Sequence, residues 1–245
     1  MFAIIADIHG NLPALKAVLQ AIDQLGVKRI FCLGDMIGIG PDSNEVLDML
    51  FSRDDISMVT GNHDEAVLAL LHGEDYPTSH SNVRNHHEWI ASRIDASFIG
   101  KLKRLPRVIE LTQDNIEILM THYHINQEKL YEHISKDPFS SIVEPSLDNL
   151  SKLFADRQEN LICFGHHHPV HYVNHRSRTY VNPGSLGCND KPTARYVLVH
   201  IAGNQSKIEL NEVSYDNTDF LKSYSRLKVP DREFILKVFH VGQLG

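Results

Sequence analysis

The sequence predicts an α/β protein built from layers of strands and helices, and two patterns along its 245 residues carry this prediction. In the first hundred residues short apolar runs alternate with helical patterns, which is typical of a parallel sheet buried on both faces. From residue 108 onward short strands dominate, which indicates a mixed or antiparallel second half. One large core is sufficient at this length, and no linker rich in Gly, Ser or Pro interrupts the chain, so we expect a single domain over residues 1–245.

The first part of the chain has a β-α-β-α-β pattern. Continuous apolar runs predict strands, and apolar residues at helical spacing predict the helices between them. In chain order these are strand 2–6, helix 12–25, strand 29–33, helix 43–51 and strand 56–60. Gly26 is expected to end the first helix as its C-cap.

The second part is helical at first and then rich in strands. Beyond residue 64 a helix is clearest over 82–95, and residues 72–100 are predicted to form a helical cap insert. Apolar runs predict strands at 108–111, 116–121, 161–164, 170–174, 179–181, 196–201 and 207–213. Asp114-Asn115 and Gly203-Asn204 suit hairpin turns. The tail, residues 216–245, is predicted as short helices separated at Pro230.

Composition excludes several classes of protein. With 24 basic and 31 acidic residues the net charge is −7, so long nucleic acids are not expected as partners, although a local pocket could bind small phosphates. Cys32, Cys163 and Cys188 form no C-x-x-C pair, which argues against a disulfide framework or a zinc knuckle. No leader pattern opens the sequence and no run approaches the roughly 20 apolar residues of a membrane helix, so we expect a cytoplasmic protein without membrane contact.

Histidine is abundant, with 16 residues, and its placement decides between metal chemistry and a His-rich surface. Five predicted strands are each followed within a few residues by metal-binding side chains, in the segments ADIHGN, LGD, TGNHD, THYH and FGHHH. Any one of these could be an ordinary turn, a helix cap or a solvated loop. Five together indicate one site at the sheet edge where α/β proteins bind ligands.

The candidate ligands offer nitrogen and oxygen atoms and are too many for one ion, since tetrahedral zinc takes four. They are Asp7, His9, Asp35, Asn62, His122, His166 and His168. The thiolates that soft metals prefer are absent from these segments. Seven such ligands suit two ions roughly 3.5–4 Å apart that share a carboxylate and a hydroxide, an arrangement that lowers the pKa of the bridging water and binds a phosphoryl oxygen.

The ordered segments ADIHGN, LGDMIGIGP, TGNHD, MTHYH, FGHHHP and VNPGSLG resemble the calcineurin-like metallophosphoesterases, and within them the small bacterial and archaeal phosphodiesterase branch. The resemblance extends from residue 6 to residue 187. It implies a four-layer α/β/β/α sandwich of two mixed sheets flanked by helices, with the metal site at the C-terminal edge of the strands. It also implies that Asp35 bridges the two metals. The first metal would be held by Asp7, His9 and His168, and the second by Asn62, His122 and His166.

The segment GDMIGIGP departs from the GD-x-x-DRG pattern of the protein serine/threonine phosphatases in this superfamily. Gly38 stands within it, and the arginine that helps those enzymes bind phosphate is missing. This argues against a phosphoprotein phosphatase. Tyr123 follows His122 where the branch usually has glycine, so an altered pocket rim is expected.

The resemblance implies that His63 is the general acid that protonates the leaving oxygen, with Asp64 positioning it. The residues agree, because an imidazole beside a carboxylate is a suitable proton donor near neutral pH. The alternative is a surface histidine at a helix start.

Candidates for substrate contact are Asn11, Arg84, His86, His87, His124 and Asn126. Asn11 also suits a helix cap, and the others could lie on solvated surfaces.

We therefore expect a phosphoesterase with two metal ions that hydrolyses small phosphodiesters or nucleotides, dinucleoside polyphosphates among them, by attack of a metal-bridging hydroxide. The sequence does not determine the natural substrate, the preference for monoesters or diesters, or whether the chain forms a homo-oligomer. The resemblance favours Mn²⁺, and the ligands also suit Fe, Zn or Ni. One alternative is a metal-dependent nuclease, against which the acidic balance counts. Another is a non-catalytic scaffold of the same fold, against which the complete ligand set counts.

Overall fold

The protein, seen in a computed structural model, is described over residues 1–176, 178–241 and 243. Its strands there are β1 (Phe2–Ile5), β2 (Ile30–Cys32), β3 (Ile56–Met58), β4 (Val108–Gln113), β5 (Ile116–Thr121), β6 (Leu161–Cys163), β7 (His171–His175), β8 (Arg178–Asn182), β9 (Thr193–Ala202) and β10 (Gln205–Ser214). The α-helices are α1 (Leu12–Gln24), α2 (Ser43–Phe51), α3 (Asn62–His72), α4 (Arg84–Ala91), α5 (Ala96–Leu102), α6 (Leu147–Leu153), α7 (Thr218–Arg226) and α8 (Arg232–Phe239).

The strands form two five-stranded sheets. The first has the order β10-β9-β1-β2-β3, in which β1, β2 and β3 are parallel and the β9–β10 hairpin is added antiparallel to β1. The second has the order β4-β5-β6-β8-β7, in which β5, β6 and β8 are parallel and both outer strands are antiparallel. Both sheets are therefore mixed. The parallel start of the chain is confirmed, and its last hairpin returns to complete the first sheet.

The alternation of side chains along β1 shows how the layers form, because neighbouring residues of a strand face opposite sides of the sheet. Phe2 and Ile4 pack between the two sheets, against Met120 of β5. Ala3 and Ile5 face the other way, into the core that contains the apolar faces of α1 and α2. A further core joins the outer face of the second sheet to α6. The order of layers is helices, sheet, sheet, helix, which confirms the predicted α/β/β/α sandwich.

The chain between α3 and β4 is helical, as predicted. A 3₁₀ helix at Thr78–Val83 leads into α4, so the helix expected over 82–95 is shorter at both ends, and α5 begins separately with Asp95 as its N-cap. The tail contains α7 and α8 on either side of Pro230, also as predicted, and its residues 242, 244 and 245 lie outside the described residues. None of the helices in the described ranges has the length and apolarity that a membrane span requires.

Candidate metal centre

Five segments with metal-binding side chains meet at one edge of the two sheets. Asp7 follows β1, Asp35 follows β2 and Asn62 follows β3, while His122 and His166 follow β5 and β6 of the second sheet. Because parallel strands end at the same edge, the turns after them are neighbours in space although they are far apart in the chain. This is where the sequence places them.

All seven predicted ligands belong to one cluster. Asp35 is common to two groups whose ligand atoms lie within 4.8 Å of one another, one with Asp7 and His9 and one with His122 and His166. Asn62 joins the second group, since its Oδ1 is 2.7 Å from His122 Nε2 and 2.7 Å from His166 Nδ1. His168 joins the first, since its Nε2 is 3.0 Å from His9 Nε2. Two neighbouring sets of ligands thus share one carboxylate.

The nitrogen and oxygen atoms of this cluster are suited to bind divalent cations, because several of them face one another as hydrogen-bond acceptors. His122 Nδ1 donates to the carbonyl of Leu33 at 2.7 Å, so Nε2 is the nitrogen that faces Asn62 Oδ1 at 2.7 Å and Asp35 Oδ2 at 3.3 Å. In the metal-free protein a proton on Nε2 occupies this place, and a cation would replace it. His9 Nδ1 similarly lies 3.3 Å from the carbonyl of Ile37, with Nε2 turned into the cluster. Acceptors that face acceptors need a proton or a cation between them. A ring held by a backbone carbonyl on its outer nitrogen is the usual state of a metal-binding histidine.

Electrostatics concentrates negative charge on the shared carboxylate. Burial alone would raise the pKa of Asp35, but nearby His122 and His63 hold it well below its ordinary value. Burial disfavours the charged form of His122, yet the adjacent Asp35 dominates and raises the pKa of His122 to about 9. Burial raises the pKa of Asp7, and it lowers the pKa of His166 to about 3. Asp35 is therefore ionised while the His166 ring is neutral, as ligands to a cation must be.

The backbone at these turns is unusual. Asp7, His9, Asp35 and His166 all have positive φ, between 49° and 67°. This left-handed region is uncommon for residues other than glycine, although Asp and His enter it more readily than most. Such conformations cluster at functional sites, where the surrounding structure enforces them. Four of the seven candidate ligands share this feature.

Comparison with known proteins identifies the family. A family model described as a calcineurin-like phosphoesterase superfamily domain matches residues 1–204. The chain belongs to this superfamily. An uncharacterized protein of Methanocaldococcus jannaschii is 28% identical over 243 residues, covering 93% of this chain and 91% of that protein. A symmetrical bis(5'-nucleosyl)-tetraphosphatase of Pseudomonas entomophila is 40% identical over 70 residues, which are 28% of this chain and only 25% of that enzyme.

Two solved structures have the same fold as this metallophosphoesterase. A hypothetical protein from Pyrococcus horikoshii superposes with a TM-score of 0.76 at 17% identity and covers 99% of both chains. A metallophosphoesterase from Sphaerobacter thermophilus has a TM-score of 0.72 at 22% identity and covers 98% of this chain and 99% of its own. Members of the superfamily typically bind two divalent metal ions, and the His and Asp clusters described above could hold them.

His63 and Asp64 lie beside the ligands but interact with different partners. The backbone N–H of His63 donates to Asp35 Oδ1 at 2.9 Å, and its Nδ1 is 2.8 Å from His87 Nε2. The Asp64 carboxylate accepts three backbone N–H groups, from residues 36, 37 and 61. Asp64 thus holds together the turns after β2 and β3. Among the described residues the hydrogen-bond partner of the His63 ring is His87.

Four of the six candidate substrate contacts named in the sequence analysis have other partners. Asn11 is buried, caps α1 through Ala14 N and donates to the carbonyl of Gly187 and the hydroxyl of Tyr215. Arg84 is half exposed and pairs with Glu88 at 2.8 Å. No hydrogen bond or ion pair in the described ranges joins these residues to the seven ligands.

His86 and His124 are also occupied by packing and hydrogen bonds. The buried His86 ring stacks on Trp89. His124 Nδ1 lies 2.8 Å from Ser140 Oγ, and its Nε2 donates to Asp156 at 2.9 Å. Neither ring makes a hydrogen bond to a candidate ligand within the described part of the chain. Their proposed contact with substrate stays a prediction.

Sequence reasoning missed two neighbours of the centre. His80 Nε2 lies 2.6 Å from Asn62 Nδ2, and nothing in its spacing distinguishes it from the other histidines of the insert. The Cys188 sulfur lies within 4.8 Å of the ring nitrogens of His9 and His168, although the sequence analysis assigned no thiol to the site. Its position directly after VNPGSLG was an available signal, because Gly187 N donates to the carbonyl of Asp7 and ties that segment to the first ligand turn.

Proposed function

We propose that this protein is a dinuclear-metal-dependent phosphoesterase that hydrolyses small phosphodiesters or nucleotides. The shared carboxylate carries the proposal, because a ligand common to two His and Asp groups is what a pair of adjacent ions requires. Membership of the superfamily supports a hydrolase. The net charge of −7 favours small substrates over long nucleic acids.

In this proposal Asp7, His9 and His168 hold one ion, Asp35 is shared, and the other ligands hold the second ion. Those other ligands are Asn62, His122 and His166. Paired divalent ions lower the pKa of a water molecule and neutralise the charge of phosphoryl oxygens. The nitrogen and oxygen donors suit Mn²⁺, which we propose as the resident metal, and also Fe, Zn or Ni.

His63 is proposed to carry a proton to the leaving oxygen. Its backbone is fixed by Asp35 and its Nδ1 faces His87, so Nε2 is the nitrogen left for a substrate. Burial lowers the pKa of His63 well below its ordinary value, and the free ring is therefore neutral at neutral pH. An anionic phosphoester beside Nε2 would favour the protonated form. We accordingly expect His63 to take up its proton together with the substrate.

The test is hydrolysis of bis(4-nitrophenyl) phosphate by metal-stripped protein with and without added Mn²⁺, with 4-nitrophenyl phosphate as the monoester comparison. We expect Mn-dependent turnover that is faster on the diester. Asp35→Asn should abolish it, because the amide removes the charge shared by both groups. Absence of turnover with Mn, Fe, Zn or Ni in protein shown to bind the metal would overturn the proposal.

Dinucleoside polyphosphates are the second substrate class we propose, and the 40% identity to a symmetrical tetraphosphatase over 70 residues favours it. Diadenosine tetraphosphate can be offered to the Mn-loaded protein and the products separated by anion exchange. Symmetrical cleavage yields ADP alone, whereas asymmetrical cleavage yields ATP and AMP. Intact substrate under conditions that turn over the diester would exclude this class.

A further inference from the structure

A chain of hydrogen bonds links the His63 ring to Tyr76. The Tyr76 hydroxyl donates to the carbonyl of His80 at 3.1 Å. With its proton on that carbonyl, the hydroxyl oxygen accepts from His87 Nδ1, 2.8 Å away. His87 Nε2 is consequently without a proton and accepts from His63 Nδ1 at 2.8 Å. This order of donors leaves Nε2 of His63 as the nitrogen that faces the proposed substrate.

The surroundings leave little freedom in this arrangement. His87 is fully buried, and its ring meets the His63 ring edge-on with centroids 4.9 Å apart. On the other side Gly38 has a φ of +123°, and a Cβ there would lie 2.6 Å from His63 Cβ. The turn after β2 therefore has no room for a side chain that could hold the ring. The insert supplies the partner instead.

We propose that His87 is a positioning residue that holds His63 in the Nδ1–H tautomer, with Nε2 directed to the leaving oxygen. The inference rests on the proposed function, in which His63 delivers a proton. Within the described residues His87 makes no hydrogen bond to the seven candidate ligands, and of the groups proposed to react it contacts only His63. Its effect on the reaction is exerted through His63 alone.

The same insert offers an internal comparison. His80 Nε2 accepts from Asn62 Nδ2 at 2.6 Å, and His80 Nδ1 lies 2.7 Å from the Ser79 hydroxyl, which donates to Asp137. His80 therefore orients a metal ligand, whereas His87 orients the proposed acid. Loss of His80 should weaken metal binding, and loss of His87 should not.

The first test uses the tautomer itself and needs no activity. In metal-free, ¹⁵N-labelled protein, long-range proton–nitrogen correlation spectra distinguish protonated from unprotonated ring nitrogens, and His63→Gln assigns the ring. We expect His63 Nδ1 to carry the proton in the natural sequence and the preference to be lost in His87→Ala. A proton on His63 Nε2 instead, or a spectrum unchanged by His87→Ala, would overturn the proposal.

The second test compares leaving groups in the Mn-loaded protein. Thymidine 5'-phosphate esterified with phenol needs proton donation more than the same diester with 4-nitrophenol. His87→Ala should lower kcat on the phenyl ester by roughly 10- to 100-fold, less than the roughly 100- to 10,000-fold that a general acid contributes, because the acid itself stays in place. We expect a much smaller loss on the nitrophenyl ester and little change in KM. His87→Gln, whose amide oxygen can accept from Nδ1, should restore most of the loss.

Controls separate this proposal from the one it rests on. Equal losses on both esters, or none, would contradict the positioning role of His87. If the unmodified protein cleaves neither ester with bound Mn, Fe, Zn or Ni, the proposed function fails, while the spectra still decide whether His87 sets the tautomer. His133→Ala, which removes an exposed histidine paired with Glu74, should behave like the unmodified protein in both tests.

Discussion

At the scale of single residues, Gly61 shows how closely the backbone approaches the shared carboxylate. A Cβ at this position would lie 2.2 Å from Asp35 Oδ1 and 2.3 Å from Asp35 N, while its φ of −107° is open to any residue. Gly61→Ala should therefore displace Asp35 by contact alone and sharply reduce the metal bound per chain, measured by elemental analysis after dialysis.

Gly100 provides the matched control for this substitution. It lies in α5, where an added Cβ would come no nearer than 3.6 Å to the Arg104 guanidinium. Gly100→Ala should leave metal content unchanged and stabilise the helix by up to about 1 kcal/mol. Equal metal content in the two variants would show that Asp35 tolerates the displacement.

Residue types and spacing predict that these seven side chains come together at one sheet edge, because each follows an apolar strand, and they do lie together there. Their role as metal ligands stays a prediction. The partners of the proposed acid could not be predicted in this way. Asp64 neighbours His63 in sequence, but the N-terminal turn of α3 directs its carboxylate to backbone N–H groups. His87 reaches the ring from an insert whose path depends on tertiary contacts that no local pattern encodes.

At the scale of elements, α7 and α8 pack against loops that border the metal centre. Ile235, Leu236 and Tyr224 form a core with Ile39 and Cys188. The Phe239 ring also contacts the His168 ring, with centroids 5.8 Å apart. The amphipathic pattern of the tail predicts helices, but it does not show that they cover His168, a candidate metal ligand.

Ile235→Ala should lower the free energy of unfolding by about 2–5 kcal/mol, because it leaves a cavity in a fully buried position. Phe234→Ala is the control on the same helix, and since Phe234 is 48% exposed its effect should stay within about 0.5 kcal/mol. Urea unfolding followed by circular dichroism measures both. Similar midpoints for the two variants would mean that α8 contributes little to the stability of the fold.

At the scale of the whole molecule, the metal-free protein contains many buried histidines that resist protonation. Burial lowers the pKa to about 3 or 4 for His9, His86, His166 and His240, and well below the ordinary value for His63, His87 and His168. The unfolded chain takes up these protons near pH 6.5, so below that pH it binds more protons than the folded protein. The free energy of unfolding should then fall as the pH drops from about 6.5 to 4.

Above about pH 6.5 the free energy of unfolding should change with pH in the opposite direction. Asp35 raises the pKa of His122 to about 9, against the effect of burial, and burial raises the pKa of Asp7. Above pH 6.5 the folded protein therefore keeps protons that the unfolded chain has released. We therefore expect metal-free protein to be most stable near pH 6.5, with each net proton changing the free energy of unfolding by about 1.4 kcal/mol per pH unit. Urea titrations in EDTA at about pH 5, 6.5 and 8.5 would measure this.

Bound metal replaces those protons, so in metal-loaded protein the free energy of unfolding should no longer fall above pH 6.5. Stability of the metal-free protein that keeps rising up to pH 8.5 would contradict the raised pKa of His122, and with it the ionic pairing around Asp35 from which the metal centre is argued.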